Sequence, residues 1–403
     1  MRLLTIPKDK YDEYRLNLIF DCYKWDPQFQ DNNTVAKHVL VITKEEHEEL
    51  KKLTEAIDKE TIDAEKYLNE NQKYAKPLNL PKEITKELKL MKNYDAEKHV
   101  RLMRYDFHPT IDGWNISEVN SDVPGGFAEA SLMPQVAKYL FKDEALWHIN
   151  FGDILTGAIA KKVRPGGRIM LVHCTSYSDD RQVMEYLGDK LETMGFKVIY
   201  GAAEHVLFKE QKAYCILYGN EGPLDGIFRF TPLEWLKDIK PKYWDGYFDT
   251  ITPSCNHPVA IFAQTKRFPL VWDRLELEGL TLTNWKRLLP KTVEVKDAKG
   301  QKGFIYKPAC GRVGEKISIK EACDEKEYED ILREVKKKPK EYLAQKKFIS
   351  KPLTSEEGEQ FHVCLGSYTV DGKHAGYYAR ISDKPRIDSR AADIPVLIEG
   401  SEE

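Results

Sequence analysis

The stretch RYDFHPTIDGWNISEVNSD, residues 104–122, restricts the fold more than any other part of this chain. Two strand-like runs flank Thr110-Ile111-Asp112-Gly113, a bend of turn-forming residues that folds one strand back on the other. Strand residues alternate between two faces, so Arg104 and Asp106 share a face, and Glu118, Asn120 and Asp122 share another. One residue of slip in the pairing sets Asp106 across from Glu118. The expected patch then carries two carboxylates, a carboxamide and a guanidinium. Unpaired carboxylates at such range repel, so positive charge is expected among them. Asp, Glu and Asn oxygens form a hard donor set suited to Mg2+, with phosphate and water filling the remaining positions. Arg104 cannot ligate a cation, but it can grip a phosphate or carboxylate with two N–H groups. An exposed polar hairpin with harmlessly paired charges gives the same alternation.

A second segment, FIYKPACGRVGEKISI (304–319), puts Lys307 at a strand end ahead of Gly311, Arg312 and Gly314. Glycines let successive backbone N–H groups approach a phosphate, and Lys307 adds a point charge. A β-hairpin with a tight glycine turn needs no ligand, and the segment does not fit the P-loop pattern. Lys266, in AQTKRFPLVWD, is a second candidate lysine, with a solvent-exposed lysine as the plain alternative. Arg380 ends an aromatic run, GYYARISD, where a buried guanidinium needs an anionic partner. LAQKKFI (343–349) reads either as an edge strand or as a backbone edge for adenine.

The rest of the chain surrounds these motifs with both helical and strand periodicities. Residues 1–94 read as a mostly helical segment, with a Glu-, Lys- and Leu-rich helix over 44–72 whose charges mark a solvated face. Residues 95–150 contain the hairpin. Residues 151–260 carry a strand–helix–strand rhythm: RIMLVHC, a helix ending at Gly195, FKVIYGAA and GIFRF. That rhythm indicates a small α/β unit with a parallel sheet, and it lacks the glycine turn of a dinucleotide site. Residues 261–403 alternate strands with turns (GFIYKP, EKISI, YLAQKKFI, FHVCLGSYTVDG, GYYARI) around one helix, EKEYEDILREVKKK. The whole is a mixed α+β and α/β chain. At 403 residues it has room for two or three domains.

Composition narrows the partners. A net charge of −3 gives no global attraction for nucleic acid or an anionic membrane. No apolar run approaches the roughly 18 residues of a membrane helix, and the N-terminus has no secretory signal pattern. Seven scattered cysteines with no Cys-x-x-Cys pair point to reduced thiols and a cytoplasmic location.

Taken in order, RYDF, EVNSD, TKRFPLVW, YKPACGRVG, Arg380 and the tail ADIPVLIEG resemble the synthetase domain of the glutathionylspermidine synthase family, within the ATP-grasp carboxylate–amine ligases. The resemblance covers most of the chain from about residue 95. Glu118-Val-Asn120 precedes both lysines, the permuted motif order that this family shares with eukaryotic-type glutathione synthetases. The resemblance implies an ATP-grasp fold with an inserted α/β domain. It implies Asp106, Glu118 and Asn120 as Mg2+ ligands, and Lys266 and Lys307 on the ATP phosphates. It further implies Gly311, Arg312 and Gly314 as the loop over those phosphates, Gln345 near the adenine, and Arg104 and Arg380 on the γ-phosphate and reacting acyl group. The implied reaction is amide formation from a small-molecule or peptide carboxylate and an amine, with ATP and Mg2+. A kinase stopping at phosphoryl transfer and a non-catalytic ATP-binding scaffold use the same residues. The chain departs from the family in two places. It has no room for the amidase domain of bifunctional members, so no amidase activity is expected. It also has Val123-Pro124-Gly125-Gly126 where the family places small hydroxyl residues near the acyl substrate, which leaves the acid open.

Overall fold

A computed structural model describes residues 1–92, 94–142, 145–311 and 314–401. Its centre is an antiparallel sheet in the order Ala392–Ile394, Lys373–Ser382, Gln360–Val370, Leu102–Thr110, Gly113–Asn120, with Leu353–Thr354 paired to the Gln360–Val370 strand. The hairpin is therefore an integral part of a sheet whose other strands come from the C-terminal fifth of the chain. Strand alternation sorts its residues onto two faces. Tyr105, Phe107, Leu365, Tyr377 and Ala379 are buried on one face as core. Arg104, Asp106, Cys364, Tyr378 and Arg380 line a cavity on the other.

The long helix Lys44–Glu70 covers the apolar face. Leu50, Thr54, Ile57, Thr61, Ala64 and Leu68 are buried at alternating steps of three and four, the spacing of one helical stripe. Thr54 Oγ1 donates to Ser367 Oγ at 2.8 Å, tying the stripe to the sheet. At the helix start Thr43 and Glu46 form a reciprocal capping box. Part of the charged run is thus solvated as expected, while its other face is core. Arg101 joins the two layers by ion pairs to Asp58 and Glu65 of this helix.

Five smaller sheets accompany this centre among the described residues. Residues 151–260 supply the expected parallel sheet, in the order Ser254–Cys255, Gly226–Arg229, Arg168–Val172, Lys197–Gly201. The helix Ser178–Thr193 connects two of its strands, with Gly195 beyond it in the left-handed region at φ +88°. A second sheet, in the order Thr292–Val293, Tyr342–Lys346, Phe304–Pro308, packs beside the helix Glu325–Lys337. A third joins Arg2–Thr5 and His38–Ile42 to Val396–Glu399 and Leu146–Trp147.

One local reading gains detail and one needs correction. The N-terminal ninety residues hold strands Arg2–Thr5 and His38–Ile42 besides their helices. All five residues of His38–Ile42 are buried, so the strand shows no polar alternation in the sequence. The run EKISI forms no strand. Ser318 instead donates its N–H to the Tyr306 carbonyl and accepts the Tyr306 N–H on Oγ at 2.7 Å, so a side chain replaces the ladder. No helix among the described residues is long and apolar enough to cross a membrane.

Candidate active site

The hairpin register is the slipped one. Asp106 pairs with Glu118 and Arg104 with Asn120, with a bulge between Asp106 and Phe107. The bulge lets Asp106, Glu118 and Asn120 face one cavity of about 610 Å³. Asp122 leaves that patch, because the strand ends at Asn120. Its carboxylate pairs with the fully buried Arg229 and accepts the Leu233 N–H at 2.7 Å. Gln264 fixes this exit, its Oε1 accepting the N–H groups of Ser121 and Asp122 at 2.8 and 2.9 Å.

The positive charge expected among the carboxylates comes from both near and distant residues. Arg104 donates to both oxygens of Asp106, at 2.8 and 3.1 Å, and to the Gly125 carbonyl at 3.0 Å, while its guanidinium lies over the Tyr378 ring at 4.9 Å. It lies flat across the sheet because Gly366 has no side chain; a Cβ there would stand 2.7 Å from Arg104 Cδ. Lys266 reaches Glu118 Oε2 and the Gly311 carbonyl, each at 2.7 Å. Lys307 is buried and donates to the Ser117 carbonyl at 3.2 Å.

These contacts shape the protonation of the site. Burial pushes the Asp106 carboxyl up and Arg104 pulls it back only in part, with the neighbouring Glu118 charge adding to the rise. Burial pushes the Glu118 carboxyl up as well, but Lys266, by charge and hydrogen bonding, together with the Lys307 and Arg104 charges holds it below the usual range. Burial brings the Lys307 ammonium down to about 8; Glu118 opposes the fall and Lys266 adds to it.

Among the described residues no group of three or more His, Cys, Asp or Glu side chains is placed to hold a metal. The hairpin instead offers two carboxylates and one carboxamide. Asn120 Nδ2 donates to Asp106 Oδ2 at 3.0 Å, which turns its carbonyl oxygen away from that carboxylate. An all-oxygen set of this kind fits Mg2+ with phosphate oxygens completing the octahedron.

Arg380 also lines the cavity. Its Nη2 donates to the carbonyls of Asp388 and Ala391, whereas its buried Nε has no hydrogen-bond partner and lies 3.6 Å from Asp393. Gly314 sits at φ +64° against the Ile387 carbonyl, where a Cβ would come to 2.1 Å, so only glycine fits. Gln345 lies on the middle strand of its sheet, buried, with Nε2 on Thr292 Oγ1 at 3.0 Å, and is not part of the cavity wall. Arg312 lies outside the described residues.

Sequence reasoning missed the far end of the cavity. There the buried Lys24 ammonium meets Asp26, Glu129 and Asp393 at 2.7, 3.3 and 2.6 Å. The Tyr378 hydroxyl also donates to Asp393, at 2.6 Å. One continuous polar network thus runs from Lys24 through Asp393, Tyr378 and Arg104 to Asp106. Asp393 stands in the tail motif ADIPVLIEG, but nothing in the sequence around Lys24 or Glu129 sets those two apart.

The glutathionylspermidine synthase preATP-grasp family model matches residues 12–399, almost the whole chain. The chain belongs to that family. Its fold is that of the ATP-grasp synthetases. The family match also takes in the N-terminal helices, where the motif resemblance was weakest. A glutathione synthetase-like effector from Globodera pallida, in its apo form, is similar in fold at 11% identity and a TM-score of 0.62, over 95% of this chain and 96% of that one. A putative gamma-glutamylcysteine synthetase from Methylobacillus flagellatus aligns at 12% identity and a TM-score of 0.44, over 83% of this chain and 87% of that one. No curated protein matches.

Proposed function

We propose that the cavity is the active site of an ATP- and Mg2+-dependent carboxylate–amine ligase. One observation carries this reading: Lys266 and Lys307, far from the hairpin in sequence, converge on Glu118 and Ser117 beside Asp106 and Asn120. Two ammonium groups beside two cross-strand carboxylates, with Lys307 in the cavity wall and Lys266 on Glu118, match the charge pattern of a metal–polyphosphate ligand.

Asp106, Glu118 and Asn120 are the residues that would hold Mg2+, which when bound offsets charge on phosphate oxygens. Lys266 and Lys307 bind the phosphates, with the Gly311 and Gly314 loop beside them; the family resemblance assigns Arg312 the same task. The substrate carboxylate attacks the γ-phosphoryl group of ATP, giving an acyl phosphate and ADP. An amine then displaces phosphate to form the amide. Arg104 and Arg380 orient the acyl group and stabilise the oxyanion that develops on it. The walls of the cavity keep water from the activated acyl group.

A ligand that binds only the native state raises its melting temperature. Mg2+ with a nonhydrolysable ATP analogue is expected to raise the Tm of the chain, and Glu118→Gln to remove most of that rise. An undiminished rise in the variant overturns the metal assignment. ADP release on adding an acid and an amine together, with a condensed product by mass, supports ligation. A phosphorylated acid alone indicates a kinase, and binding without turnover across a broad acid and amine screen indicates a scaffold.

A further inference from the structure

The two carboxylates of the candidate metal site are both already paired, but to cations held very differently. The partner of Asp106 is fixed: Arg104 makes two bonds to that carboxylate, a third to the Gly125 carbonyl, and stacks on Tyr378. The partner of Glu118 is a flexible side chain. Lys266 Nζ spans Glu118 Oε2 and one backbone carbonyl, that of Gly311, each at 2.7 Å. Lys307 Nζ stands next to it on the carbonyl of Ser117, the residue before Glu118.

A divalent cation on Glu118 Oε2 would have to displace Lys266, and one on either oxygen of that carboxylate would sit beside two ammonium groups. With no anion present, neither lysine gains a partner in exchange, and the like charges oppose entry. A polyphosphate changes this balance, because its oxygens accept from both lysines while also binding the cation. We propose that Lys266 is the resident counter-ion of Glu118, which bars a divalent cation from the site until a polyphosphate takes over its ammonium, so that metal and nucleotide enter together. This inference rests on the nucleotide reading above and adds an order of binding to it.

The test measures Mn2+ binding to the full chain by the electron-spin signal of free Mn2+, with no turnover required. The proteins are the wild type, Lys266→Met, Lys266→Gln and the double variant Lys266→Met/Glu118→Gln, each checked for a cooperative melt. Wild type is expected to bind Mn2+ alone at least tenfold more weakly than either single variant. An imido analogue of ATP should then tighten Mn2+ binding to wild type at least tenfold. The double variant should lose the affinity that Lys266→Met gains, which locates the ion at Glu118. Analogue binding to wild type combined with equal Mn2+ affinities in wild type and both single variants overturns the counter-ion role and leaves the nucleotide reading standing. Failure of the analogue to bind wild type at all overturns both. Should the Met variant not fold, the Gln variant, which retains a polar but uncharged side chain one atom shorter, decides the outcome.

Discussion

Lys24 is 1% exposed and has three carboxylates within 3.3 Å. Burial pushes the Glu129 carboxyl up to about 7; Lys24 opposes that rise, and Asp393 and Asp26 add to it. The lysine is therefore the charge that allows three acids to share one wall of the cavity. Removing one partner of a buried ion pair leaves the other uncompensated and costs about 3–5 kcal/mol. Lys24→Met is expected to lose stability of that order in urea unfolding at pH 7. The deficit against wild type should shrink toward pH 5. Burial already holds the Glu129 carboxyl above its unfolded value and Lys24 is the charge that restrains it, so without the lysine the native variant takes up a proton there and gains stability as pH falls. A deficit that stays constant across that range would show that the acids are not the cause. None of this is legible in CYKWD, because residues 24, 129 and 393 meet only in the folded chain. Asp106 and Glu118 could be paired from sequence because a tight bend fixes which strand residues face each other, and such local geometry does not extend to partners hundreds of residues away.

Elements were legible where their period was. The hairpin alternates and turns within four residues, so its strands, and with one slip its register, follow from the sequence. The strand His38–Ile42 is buried on both faces and has no period to read. The helix Lys44–Glu70 shows its apolar stripe, while the sheet that it covers lies elsewhere in the chain. Its start depends on a local device, since Thr43 Oγ1 accepts the Glu46 N–H at 3.2 Å and Glu46 Oε2 accepts the Thr43 N–H at 2.9 Å. Thr43→Ala is expected to cost about 1 kcal/mol in chemical denaturation and to leave nucleotide binding unchanged. On the sheet, Gly366→Ala should do the reverse. The added methyl group would meet Arg104 at Cδ, Cγ and Nε, all within 3.0 Å, and push the guanidinium off Asp106. The variant is expected to keep a cooperative fold while losing tenfold or more in ADP release, relative to wild type, under the acid and amine mixture that supports turnover. Full retention of that rate would mean that the Arg104–Asp106 pair is not needed in its present geometry.

Over the whole molecule, the cavity floor is a sheet built from residues 102–120 and 353–394, and one of its walls from residues 305–307 and 314–319. The motif order indicated such an assembly through family resemblance, whereas periodicity alone indicated only separate α/β and α+β parts. Composition hid a further global property, the burial of neutral histidines. Burial, with Lys162 adding to it, brings the His99 imidazole down to about 4, and burial does the same to His257 more strongly. The two rings stand 4.8 Å apart, with Tyr94 against His257 at 4.2 Å and Ser254 Oγ 2.9 Å from His99 Nδ1. In the unfolded chain an imidazole takes a proton below about 6.5, whereas folded His99 remains neutral until about 4. Across that window the unfolded state binds more protons, so stability falls as pH falls. For His99 alone the loss by pH 4 is on the order of 3 kcal/mol. The urea midpoint of wild type should therefore fall relative to that of His99→Gln, which cannot take that proton in either state, between pH 6.5 and 4.5; the comparison cancels carboxyls such as Glu129, which titrate in both proteins with the opposite sign. Parallel slopes for the two proteins would mean that His99 is not held neutral in the fold and would place the acid sensitivity elsewhere.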